Sequence, residues 1–109
     1  MPNIYKNAKK DLTSTSVTTL YTAPALTTSI VKSIIVSEDS GNADTITVTI
    51  TDAEASPAVF SLFKTKSISA NGTTELLTSP IVVQTGEILK VTAATANRLH
   101  VVASILEVS

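Results

Sequence analysis

The sequence predicts an all-β fold: an antiparallel β-sandwich of about eight strands, Ig-like or jelly-roll. Three observations predict it. Residues 44–52 read Asp-Thr-Ile-Thr-Val-Thr-Ile-Thr-Asp, a strict period of two. Turn-forming residues recur about every 8–12 positions along the chain. No window carries the 3.6-residue period of a helix.

In the stretch 44–52, Ile46, Val48 and Ile50 share one face and Thr45, Thr47, Thr49 and Thr51 the other. A β-branched side chain suits the pleat, and the threonine hydroxyl suits a wet face. The other strands should pair with this one or pack on its Ile/Val/Ile face.

The remaining elements follow in order. Residues 3–12 read as a weak first strand or an extended arm, because Lys6, Lys9 and Lys10 spoil the alternation. Residues 13–16 form a polar turn. A short strand at 17–21 is broken by Pro24, which offers no ladder donor. In residues 29–37 the even positions Ile30, Ile34 and Val36 form the better core face, and Lys32 on that face must snorkel or sit at a rim. Both faces carry apolar residues, as in a central strand.

Residues 38–42 form a turn. Residues 58–66 form a strand whose core face is ambiguous, because Phe60 and Leu62 oppose Val59 and Phe63. Both phenylalanines are expected in the core. Asn71-Gly72 is a strong hairpin signal. With Thr73 it also matches a glycosylation sequon, and the turn reading is preferred. Brief strands follow at 74–77 and 81–83, then a strand at 88–94. Ala96-Asn97 marks another hairpin. The strand 98–108 closes the chain, with Leu99, Val101, Ala103 and Ile105 on one face. Arg98, His100, Val102, Ser104, Leu106 and Val108 lie on the other, so both faces are apolar and one is expected to meet a neighbouring subunit.

A chain of 109 residues forms one domain and can bury a core without disulfides or metal. Residues 1–16 are assigned to the arm or first strand, and residues 17–109 to the sandwich. There is no cysteine, which removes disulfide and thiolate chemistry and fits a reducing compartment. The net charge of −1 lacks the basic footprint of a nucleic-acid binder. Residues 1–6 lack the apolar core of a signal peptide. No apolar run approaches the roughly 18 residues of a membrane span. The 18 threonines and 13 serines sit within alternating patterns, so they decorate strands rather than form a flexible tract.

No catalytic, cofactor or metal constellation is expected. His100 is the single histidine, with Arg98 and Ser104 as its same-face sequence neighbours and no acid at i±2. Glu38 with Asp39, and Asp52 with Glu54, are loop pairs of the kind that cap turns. They lack the spacing of a calcium loop. A glycan platform is poorly provided: there is no tryptophan, and Tyr21 is the one candidate.

Six short stretches carry a family resemblance: Thr19-Leu20-Tyr21-Thr22-Ala23-Pro24, Ile30-Val31-Lys32-Ser33-Ile34, Ser67-Ile68-Ser69-Ala70-Asn71, Glu75-Leu76-Leu77, Gly86-Glu87-Ile88-Leu89-Lys90-Val91 and Leu99-His100-Val101-Val102-Ala103-Ser104. The resemblance covers roughly residues 17–108. Their wording resembles small β-sandwich virion structural proteins of tailed bacteriophages, of the capsid cement or decoration type. That resemblance implies a structural role on the virion, at the capsid surface, for a protein made in the host cytoplasm. The implied partners are the major capsid protein or other virion proteins, and the implied state is a homo-oligomer, a trimer foremost. No catalytic residue comes with it.

Attachment is expected through Ile4, Tyr5, Lys6, Lys9 and Lys10 of the first segment and Val102, Leu106 and Val108 of the last strand. An apolar residue and an aromatic followed by lysines can anchor and then pair with an acidic surface. Two alternatives accompany this expectation. One is a tail, neck or fibre-knob subunit. The other is a host-surface or carbohydrate-binding module.

Overall fold

The computed structural model describes residues 3–54 and 56–109. Met1 and Pro2, the start of the 1–16 segment, lie outside the described residues, as does Ala55 of the 52–57 loop. The described residues form nine strands: β1 (Asn3–Asp11), β2 (Thr18–Thr22), β3 (Thr28–Glu38), β4 (Asp44–Thr51), β5 (Val59–Ile68), β6 (Thr73–Glu75), β7 (Ile81–Val83), β8 (Ile88–Ala93) and β9 (Leu99–Val108). All pairings are antiparallel.

The larger sheet runs β1-β9-β3, and β6 and β7 both pair with the far side of β3. They meet β3 at Ile35–Ser37 and Ser29–Val31 respectively, so they share one strand position in tandem. The smaller sheet runs β2-β8-β4-β5. With β6 and β7 counted as one position, this is the strand order of a jelly roll. It decides between the two sandwich types the sequence left open.

This order changes the meaning of two turn signals. Asn71 does adopt a positive φ of 54°. Yet β5 and β6 lie in different sheets, so Asn71-Gly72 carries the chain across the sandwich and closes no hairpin. The turn at Ala96-Asn97 likewise crosses from β8 to β9. Among consecutive strands, β4 and β5 make a ladder with each other.

The core lies between the sheets. Ile46 and Val48 of β4, Leu89 and Val91 of β8, and Leu99, Val101, Ala103 and Ile105 of β9 are essentially inaccessible. The odd face of β9 and β4 as far as Val48 therefore do what period two dictates. At the end of β4, Thr51 is buried and Ile50 only partly covered, which corrects the wet-face assignment of Thr51. Register shifts with β5 bring the parity there out of step with period two.

β3 departs from it. Ser29 and Val31 point inward at its start, and Ile34, Val36 and Glu38 at its end. The register with β9 shifts between Val31 and Ser33. A β-bulge there inserts one residue and reverses which parity faces the core. The even-face expectation thus holds from Ile34 onward and fails at Ile30. Lys32 stands at the switch, exposed, and needs no snorkelling.

β5 also departs. Its register with β4 shifts twice, and Thr65 has a φ of 48°. Leu62 and Phe63 both reach the core as partly buried neighbours. Phe60 is 55% exposed, which corrects its assignment to the core. Bulges and the two lysines Lys64 and Lys66 are what protect this edge from pairing with another chain.

Candidate interaction surface

Opposed residues of an antiparallel ladder point to the same face, so the registers define the outward face of the larger sheet row by row. One row reads Tyr5, Leu106, Ile30 and Val82, from β1 through β9 and β3 to β7. Another reads Lys9, Val102 and Ile35. Val108 lies between Asn3 and Thr28. Tyr5 is 73% exposed and Val82 53%, and Ile35 and Val102 are also exposed. Ile30, Leu106 and Val108 are half-buried. These apolar rows, separated by the polar row Asn7, Ser104 and Ser33, form an apolar band on a sheet face that none of the described residues covers.

Two cations border it. Lys32 lies 5.9 Å from the centre of the Tyr5 ring, a cation–π distance. Lys9 donates to the Asn7 side chain at 3.4 Å.

The structure brings five of the eight expected attachment residues together here: Tyr5, Lys9, Val102, Leu106 and Val108. It separates the other three. Ile4, Lys6 and Lys10 alternate onto the opposite side of β1, in register with Glu107, Ile105 and Val101. Ile4 is 51% exposed there. Lys6 lies 3.6 Å from Glu107. The pleat thus divides a segment the sequence treats as a single anchor. Ile30, Lys32, Ile35 and Val82 are additions. The signal for them was Lys32 itself, a charge at odds with the face assigned to it.

At one end of this face His100 sits between two carboxylates. Its Nε2 is 3.3 Å from Asp11 of β1 and its Nδ1 3.7 Å from Asp39 after β3. Neither acid is near His100 in sequence, so only the strand pairing reveals them. Ser37 is the residue opposite His100 in the ladder. Lys9, Lys10, Asp11, His100, Val101 and Val102 line an open depression at this end. Among the described residues, no group of three or more His, Asp or Glu is arranged to hold a metal ion.

Three carboxylates brace the frame behind the surface. Glu38 accepts from the backbone N–H of Ser40, Gly41 and Asn71 and from the Ser40 hydroxyl. Burial pushes its pKa up, but these hydrogen bonds outweigh burial and bring it down to about 2. Glu75 accepts from Ser33 Oγ, from the Ile34 N–H at 2.8 Å and from the Leu77 N–H at 3.1 Å. It therefore satisfies a donor of β3 in the gap between β7, which pairs at Ser29–Val31, and β6, which pairs at Ile35–Ser37. Burial raises its pKa, and the bonds from Ser33, Leu77 and Ile34 lower it further than burial raises it. Glu107 is buried and accepts from the Tyr21 hydroxyl, which also lies 2.6 Å from Ser29 Oγ. Burial, then the bond to Glu107, pushes Tyr21 up to about 12. Tyr21 is 7% exposed, so it is no platform for a sugar.

No family model and no curated protein matches this chain. Among solved structures it is similar to a chain in the acid-stable capsid structure of Helicobacter pylori bacteriophage KHP30. The TM-score is 0.56 at 12% identity, over 97% of this chain and 87% of that one. At that identity the likeness establishes a shared fold.

Proposed function

We propose that this chain is a virion structural protein that binds the capsid surface and bridges capsid subunits as a cement or decoration protein. The observation that carries the proposal is the near full-length likeness to a chain of a phage capsid structure. The jelly-roll order and the uncovered apolar band support it, since such a band serves docking to another surface. The attachment residues are Tyr5, Lys9, Val102, Leu106 and Val108, with Ile30, Ile35 and Val82 completing the band. Lys9 and Lys32 favour a partner surface that carries carboxylates. Ile4, Lys6 and Lys10 would reach a second neighbour from the other side of β1. Several modest contacts made at once give avidity without one tight contact. A closed homo-oligomer, a trimer in the simplest case, would present these faces in register with local capsid symmetry.

Mass spectrometry of purified particles, with and without the gene for this chain, tests the proposal. The 11.4 kDa chain is expected in intact particles. Its loss should leave shells that break at lower temperature and that rebind added protein. Leu106→Asp should abolish rebinding while leaving the fold intact. Absence of the chain from particles would overturn the proposal. A copy number of six or twelve per particle would move it to the neck or tail.

A further inference from the structure

We propose that β1 is exchanged between copies of this chain, the β1 of one copy pairing with the β9 of the next. β1 is attached differently from the other long strands. Its nine residues pair with β9 alone, as β5 does with β4, but none of its side chains is fully buried, whereas β5 buries Ile68. Its base, by contrast, is fixed. Leu12 is 2% exposed, its N–H donates to the Leu99 carbonyl at 3.0 Å, and its carbonyl accepts from the Asn97 N–H at 2.8 Å.

At that base the chain makes one tight reversal. The Thr13 N–H donates to the Asp11 carbonyl at 3.0 Å, a three-residue turn centred on Leu12. Opening that turn with the Leu12 side chain still seated frees β1 as an arm and takes from the core only the partly buried Ala8 contact. It also uncovers the β9 edge, a row of unpaired backbone groups that invites a strand.

The strand that fits that edge is β1 itself. β1 matches β9 over nine consecutive pairs, from Asn3 against Val108 to Asp11 against His100. Charge agrees with the register: Lys6 reaches Glu107 diagonally, one pair along from its own partner Ile105, and Asp11 lies directly opposite His100. None of these contacts requires the two strands to belong to one copy. A second copy therefore offers the same ladder and the same ion pairs. When every copy gives and receives one arm, the ring closes and no edge stays open.

The absence of cysteine makes the test clean. Asn7 and Ser104 face each other across this ladder, and both are exposed. Chains carrying Asn7→Cys and chains carrying Ser104→Cys are mixed, unfolded, refolded together at high concentration and oxidised. Exchange predicts a disulfide-linked peptide joining positions 7 and 104, and a gel band at twice 11.4 kDa that reduction removes. Its absence overturns the exchange. The double variant Asn7→Cys/Ser104→Cys gives a second reading: linked oligomers under exchange, and linkage only within single chains if β1 stays at home. Either failure leaves the virion proposal standing, because particle mass spectrometry tests that independently.

Discussion

β1 and β3 flank the same strand, β9, yet they are held by opposite means. β3 sends Val31, Ile34 and Val36 into the core, each with no accessible surface. It also carries a bulge braced by Glu75, and its end is braced by Glu38. β1 offers backbone pairing and surface ion pairs, and its most buried side chain, Ala8, is only partly covered. Equal ladders therefore do not mean equal contributions to stability. The core term belongs to β3, and β1 is free to serve the surface.

The largest expected effect breaks β3. Ile34→Ala should cost about 2–5 kcal/mol, the range for truncating a fully buried aliphatic side chain. Ile4→Ala on β1 should stay within about 0.5 kcal/mol, as for exposed positions. Urea unfolding of the two variants measures the contrast. Similar costs would show that β1 contributes to the core after all.

The next effect concerns the strand ends. Glu38 has a folded pKa of about 2 against an ordinary 4.5. The folded state resists its protonation, so the stability it adds is fully present above pH 4.5 and fades as pH falls toward 2. Glu38→Gln should be less stable at neutral pH and should lack this component of the acid loss. Unfolding midpoints at several values between pH 7 and pH 2 decide it, and parallel curves for the two proteins would refute the assignment.

A smaller loss is expected at the bulge. Glu75→Ala leaves the Ile34 N–H without its acceptor, at a cost of about 1 kcal/mol for a hydrogen bond near the surface. Hydrogen exchange at Ile34 should accelerate, while exchange along β1 should not change. Acceleration in both strands would mean that the bulge also supports the β1 ladder.

The two strands were not equally legible in the sequence. Where one face is dry and the ladder is regular, period two reads correctly, as at Ile46 and Val48 or along the odd positions of β9. A bulge breaks that rule by a single inserted residue, and Lys32 was its only trace. Strand order was not legible either, because it depends on which distant segments pair. Asn71-Gly72 showed that the chain turns and not that it changes sheets. The same blindness hid the surface. Tyr5, Leu106, Ile30 and Val82 become neighbours only through three successive registers. Asp11 and Asp39 reach His100 in the same non-local way.

The smallest prediction sharpens the comparison, because it concerns a side-chain link between the two strands. Lys32 projects from the β3 bulge and reaches the Tyr5 ring on β1, across the outward face of β9. At an exposed site a cation–π contact contributes about 0.5–1 kcal/mol. Lys32→Met and Tyr5→Leu each change more than this contact, so only the coupling in a double-mutant cycle isolates it. A coupling near 0.5 kcal/mol is expected, with little dependence on salt compared with the Lys6–Glu107 pair. If β1 is exchanged between copies, the same coupling should appear between chains: mixed oligomers of the two single variants would retain the contact at some junctions and lose it at others. A coupling of zero would mean that Lys32 is held by the bulge alone, leaving β1 tied to the sandwich solely through β9 and Leu12.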